Sequence, residues 1–168
     1  MSSNLLADVE RALEQLFRLG ANRRFDARQE EAVGAAVTRA GYAVLRCLSS
    51  SDGMGVAALA EACAMDAATA SRQVDRLETD GLVVRRADEN DGRAVSVTIT
   101  PRGRAVYDAV VAYRLGYLTD ALSEWQAGDL STLSASIERL VGDLTRTPAT
   151  DPKTPNRADP EVRPAKRG

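Results

Sequence analysis

The stretch MDAATASRQVDRLETDGLVVRRADENDGRAVSVTITP, residues 65–101, changes its hydrophobic period twice within a short span. Asp66 opens it as a helix N-cap, because its carboxylate can accept from first-turn amides and suits the positive helix end. Ala70, Val74 and Leu77 follow at steps of four and three, the buried face of a helix. Gly81 is the stop, supplying left-handed backbone where a side chain would be strained. Leu82 to Arg86 reads as a strand, and Val95, Val97 and Ile99 alternate with Ser96, Thr98 and Thr100 as a second. Thr100-Pro101 then starts another helix, Thr as cap and Pro at the first helical position. Helix, hairpin and helix in this order predict a helix-turn-helix with a β wing.

The flanks are helical. Leu5, Leu6, Val9, Leu13, Leu16 and Phe17 mark one apolar face over 4–21, while 22–36 reads as a continuing or interrupted helix. Thr38 is the expected cap of a helix over about 39–48, with Tyr42, Leu45 and Leu48 inward. Ser49 to Gly53 is turn chemistry, Met54 to Val56 is a short extended piece, and a helix at about 57–64 buries Leu59 and Cys63. Beyond Pro101, an apolar side running from Val106 to Trp125 predicts one long helix broken at Gly128 or Asp129. Leu130, Leu133, Ile137, Leu140, Val141 and Leu144 predict a last one. Five of the six prolines lie between 148 and 164, which predicts a disordered tail. The fold class is therefore mainly α with a small β wing, in the order α-α-(β)-α-α-β-β-α-α. Residues 1–36 would be an N-terminal dimerisation helix, 37–100 the winged helix-turn-helix and 101–147 the C-terminal dimerisation helices. The tail is 148–168.

Composition narrows the chemistry. With 168 residues the chain has room for one real core plus the tail. No apolar run approaches the roughly 20 residues of a membrane span, and the N-terminus is not a signal sequence, so a cytoplasmic protein without membrane contact is expected. Two cysteines, Cys47 and Cys63, make no disulfide framework, and both fall on apolar helix faces. There is no histidine, no phosphate-cradling glycine loop and no activated Ser or Cys constellation. An enzyme is not expected, nor a cofactor or a metal. The net charge is −2, yet residues 146–168 carry +3, so the remainder is −5. Contact with nucleic acid must therefore come from a local basic surface.

The 66–80 helix supplies one. Its outer face carries Ala68, Thr69, Ser71, Arg72, Gln73 and Arg76. Small side chains let a backbone approach the major groove, while Arg suits guanine, Gln suits adenine, and Ser or Thr suits phosphate. A solvated face with ordinary charges fits the same residues. In the tip, Asp91 sits two residues before Arg93 and can hold its guanidinium or the turn backbone, preorienting a cation for a narrow minor groove. A plain polar turn fits there too; helix and tip together favour the DNA reading.

These residues carry a resemblance. Thr38-x-x-x-Tyr42-x-x-Leu45, Leu59-Ala60-Glu61 and Thr69-x-Ser71-Arg72-x-Val74-Asp75-Arg76-Leu77-Glu78-x-x-Gly81-Leu82-Val83 come first. Asp88-x-x-Asp91-x-Arg93 and Val97-Thr98-Ile99-Thr100-Pro101-x-Gly103 complete a pattern that resembles the MarR (multiple antibiotic resistance regulator) winged-helix transcription regulators over about 37–146. The resemblance implies a homodimer on a pseudo-palindromic operator of double-stranded DNA, more often a repressor, with a small-molecule effector where the dimerisation and DNA-binding parts meet. It implies major-groove roles for the six helix residues, a phosphate contact for Arg86 and minor-groove entry for Arg93. Ala67 and Ala68 depart from the family's Pro and Ser, Gly92 from its Arg or Lys, and Val56 from its Ser or Thr. The alternative is a winged-helix module used for protein contact, without DNA. The wing reading predicts that Arg93→Ala costs about 1–3 kcal/mol on A·T-rich flanks in a titration at fixed salt. Unchanged affinity would refute the minor-groove role.

Overall fold

A computed structural model describes residues 2–20, 23–87 and 95–147, as seven helices and one hairpin. The helices are α1 (Ser2–Gly20), α2 (Arg23–Val33), α3 (Arg39–Ser49), α4 (Val56–Ala62), α5 (Ala67–Thr79), α6 (Pro101–Ala121) and α7 (Ala127–Arg146). The strands are β1 (Val83–Ala87) and β2 (Val95–Ile99). The described residues up to Ala121 form one compact unit and those from Leu122 onward a second. No described helix is long and apolar enough to cross a membrane.

Local caps set the middle of the chain. The Thr38 hydroxyl accepts from Gly41 N–H at 3.0 Å, and the Asp66 carboxylate accepts from Thr69 N–H at 2.8 Å. Gly103 N–H donates to the Thr100 hydroxyl at 2.9 Å, closing the first turn of α6. Each cap satisfies an amide that the helix itself cannot. Gly81 has φ +71, as the stop signal requires, while the turn between α4 and α5 puts Ala64 at φ 51. A non-glycine residue held there stores roughly 1–2 kcal/mol of strain.

The core lies where α3, α4, α5 and the hairpin meet. Val44, Leu45, Leu48, Leu59, Val74, Leu77, Leu82, Val83 and Val97 are buried together, with Cys47, Cys63, Ile99 and Tyr107 packed at the margin. The strands pair antiparallel from Val83↔Ile99 to Ala87↔Val95. Met54 adds one residue beside β2, exchanging both backbone hydrogen bonds with Val97 at 3.0 and 2.9 Å. That bridge accounts for the extended piece between α3 and α4.

A second seam joins α2, α3 and α6. Phe25 meets Tyr113 and Tyr117 with ring centroids 5.6 and 5.0 Å away. Arg114 donates through Nε to the buried Gln29 amide oxygen at 2.9 Å and lies 4.0 Å over the Tyr42 ring, which itself stacks on Tyr107. One guanidinium thus ties three helices by a hydrogen bond and a cation–π contact.

Two expectations are corrected. The N-terminal span holds a second helix, α2, whose end at Gly34 has φ +69. The long helix after Pro101 stops at Ala121, not at Gly128 or Asp129. Gln126 caps α7 in a reciprocal box with Asp129, so both break candidates lie inside that helix. The apolar pattern runs on through Leu122 and Trp125, which is why periodicity alone carries the helix too far. The 88–94 tip and the 148–168 tail lie outside the described residues.

Helix α6 starts against the α5–β1 corner with no spare room. A methyl group at Gly103 would stand 1.9 Å from the Leu82 carbonyl oxygen and 2.9 Å from Ile99 Cγ1. Gly103→Ala is therefore expected to destabilise the fold by about 3 kcal/mol in urea unfolding, the upper range for overpacking. A loss below about 0.5 kcal/mol would show that α6 can retreat.

Candidate nucleic-acid interface

Helix α5 buries Ala70, Val74 and Leu77 and turns the rest outward. Ala68, Arg72 and Arg76 are exposed; Thr69, Ser71 and Gln73 are half-buried. Arg72 and Arg76 stand four residues apart, one above the other on the same face. Arg86 is exposed on β1, and none of the three arginines ion-pairs with a described residue. Asp91 and Arg93 lie outside the described residues, so their partners are not placed.

The first turn of α5 is wired to its cap. Thr69 Oγ1–H donates to Asp66 Oδ2 at 2.7 Å, and Arg72 donates to Thr69 Oγ1 at 2.8 Å. The Thr69 hydroxyl, then its backbone N–H, hold the Asp66 carboxyl below its ordinary value of 3.8. Arg72 therefore leaves the helix from a restrained position near its N-terminal end, which lowers the entropy lost when it binds.

Gln73 is engaged differently. Its amide oxygen accepts from the Thr38 hydroxyl at 2.7 Å, the same hydroxyl that caps α3. Gly41 makes this approach fit, since a Cβ there would lie 3.2 Å from Thr38 Oγ1 and 3.5 Å from Gln73 Oε1. A bidentate adenine contact needs both amide atoms. Held to Thr38, the oxygen is turned toward α3 with one lone pair left, and the Gln73 N–H groups bond no described residue.

Arg85, absent from the sequence-level candidates, organises the site from behind. In the strand register Arg85 faces across to Val97, on the side turned toward α5, whereas Arg86 pairs with Ser96 on the other side. The Arg85 guanidinium donates to Asp75 Oδ1 at 2.6 Å and to Glu78 Oε2, and the Arg85 backbone N–H donates to Glu78 Oε1 at 3.0 Å. One arginine so offsets part of the charge of two carboxylates that would repel phosphate beside Arg72 and Arg76. It also clamps β1 to α5. The period-two alternation of β1 held the signal, because Arg85 shares the parity of buried Val83.

A helix with two exposed arginines on its outer face, joined to a two-stranded wing, is the frame in which the comparisons fall. The MarR family profile matches residues 37–95. YxaD of Bacillus subtilis, an uncharacterized HTH-type transcriptional regulator, is 32% identical over 102 residues, 61% of this chain and 71% of its own. HosA of Escherichia coli, a transcriptional regulator, is 33% identical over 110 residues, 66% of this chain and 76% of its own. The chain belongs to the MarR family. A crystal structure of a probable transcriptional regulator from Pseudomonas aeruginosa adds 32% identity and a TM-score of 0.59, covering 75% of this chain and 95% of that one. As a member of that family, and like these relatives, the chain is a transcriptional regulator and not an enzyme, built on a winged-helix, DNA-binding fold.

The clamp is expected to show in acid. The Arg85 backbone N–H, then its side chain, hold the Glu78 carboxyl below its ordinary value of 4.5. A group whose folded value is depressed stabilises the fold above its unfolded value and loses that contribution as pH falls through the folded one. The melting temperature should therefore drop on acidification below pH 4.5, and Glu78→Gln should flatten that slope without changing the ordering of α3 and α6. An identical slope in the variant would refute the assignment.

Proposed function

We propose that the chain acts as a homodimer on a pseudo-palindromic operator, with α5 as the recognition helix in the major groove and the hairpin against the adjoining minor groove. The outer face of α5 carries this reading: two exposed arginines one turn apart that ion-pair with no described residue, with Asp75 and Glu78 tied back by Arg85. Ala68 keeps the approach close, Arg72 and Arg76 supply base-edge and phosphate donors, and Arg86 reaches the backbone from the wing.

Unpartnered apolar surface supports the dimer. On α1, Leu6 is 70% and Phe17 69% exposed, and on α7 Val141 and Leu144 are more than half exposed. Helices that show this much apolar stripe to water need a second surface. A two-fold arrangement then presents two copies of α5, which must stand about 34 Å apart to enter successive major grooves. By occupying a promoter there it excludes the polymerase and so acts as a repressor.

Release by a small ligand has a place to act. A cleft of about 550 Å³ is walled by Leu16, Phe17, Phe25 and Tyr117, with Arg39 and Arg114 at its polar side. Such a wall suits a small apolar anion. A ligand that favours one helix arrangement shifts the population away from the operator spacing.

Capture of genomic fragments followed by titration at fixed salt tests the reading. Arg72→Ala should cost on the order of 1–3 kcal/mol and relax base preference at one position of each half-site. Light scattering should give twice the chain mass. A monomer, or a protein that retains no DNA, would overturn it.

A further inference from the structure

The two cysteines of the chain, sixteen residues apart, meet at the hinge of the helix-turn-helix. Cys47 Sγ and Cys63 Sγ are 3.3 Å apart, both half-buried at the edge of the core. A disulfide needs about 2.05 Å between sulfurs, so closure asks for little more than a 1 Å approach. Cys47 lies in the last turns of α3. Cys63 is the C-cap of α4, directly before Ala64 at φ 51 and three residues before Asp66, the cap of α5.

The two sulfurs are not equivalent. Burial first, then the contact with Cys47, push the Cys63 thiol up to about 11, opposed by the nearby Arg46 charge. Burial thus disfavours the Cys63 thiolate, while either sulfur can donate in the 3.3 Å contact. That leaves Cys47 as the attacking sulfur and Cys63 as the resolving one, the division of labour that thiol oxidation to a disulfide requires.

We propose that Cys47 and Cys63 are a reversible oxidation site, closed to an intrachain disulfide by a small peroxide, which reseats the start of α5. Cys47 Sγ attacks one peroxide oxygen as its S–H proton passes to solvent. The O–O bond breaks, one oxygen leaves as water after taking a proton from solvent, and Cys47 becomes a sulfenic acid. Cys63 Sγ then attacks Cys47 Sγ, the S–O bond breaks, and the departing hydroxide takes the Cys63 proton to leave as a second water. Two thiols lose two electrons in total and one peroxide gains them. A dithiol reductant reverses the step. Drawing Cys63 toward α3 pulls on the strained Ala64 turn, and so on the cap from which Arg72 is held.

Hydrogen peroxide added to the full, reduced chain tests this. The expected product has lost two hydrogen masses, runs as a single chain without reductant, and yields one linked peptide pair containing Cys47 and Cys63. Amide exchange over residues 64–72 should quicken in the oxidised form and return after dithiothreitol. Cys63→Ser should accumulate a dimedone-trapped sulfenic acid at Cys47, whereas Cys47→Ser should not. A chain that stays reduced while folded, a link between two chains, or unchanged exchange at α5 with the bond closed would each overturn the proposal. Operator affinity separates it from the regulator reading: about tenfold weaker binding on oxidation is expected. Equal binding with the bond closed overturns the switch, and no binding in either state overturns the regulator.

Discussion

One buried residue, Leu82, holds the reading head together. Its N–H donates to the Leu77 carbonyl at 2.8 Å, ending α5, and its carbonyl accepts from Thr100 N–H at 3.0 Å. The Thr100 hydroxyl bonds the Gly81 and Leu82 carbonyls while capping α6, whose Gly103 lies against the same peptide. The end of α5, both strand roots and the start of α6 thus share one desolvated corner, and none can shift without breaking a buried hydrogen bond. The left-handed Gly81 admits the sharp reversal. Helix α5 and the hairpin therefore move as one piece, with α6 as their handle.

Charge is arranged around that piece by sacrifice of one arginine. Arg85 is spent on Asp75 and Glu78, and its strand neighbour Arg86 stays outward. On the far side, Thr38 links the first turn of α3 to Gln73 of α5, while Arg39 beside it borders the apolar cleft. Arg114, shared among Gln29, Tyr42 and the cleft wall, cannot be drawn to a ligand without loosening α3 against α6. A cleft occupant and α5 are in this way separated by two packed contacts.

What the sequence made readable was local. Thr38, Asp66 and the Thr100-Pro101 pair declare their helix starts within four residues, Gly81 declares a stop, and the β2 alternation declares its buried face. The family resemblance rests on the same segments, and its fold came through. The misread break near Gly128 shows the limit, for Leu122 and Trp125 continue an apolar stripe that the backbone has already abandoned. At the site, the exposed face of α5 could be drawn from helical period alone. The Thr38–Gln73 bond, 35 residues apart, and the choice of Arg85 over Arg86 depend on packing and strand register, which no single segment encodes.

The Arg85 clamp also sets what ionic strength does to the molecule. Its guanidinium is mostly shielded, at 29% side-chain exposure, whereas Arg72, Arg76 and Arg86 stand in water. At physiological salt the screening length is about 8 Å, and it acts chiefly on exposed charge. Added salt therefore weakens whatever these exposed charges attract well before β1 comes away from α5. A protein eluted from DNA by salt leaves with its reading head assembled, so dilution alone restores binding, at a rate limited by encounter and not by refolding.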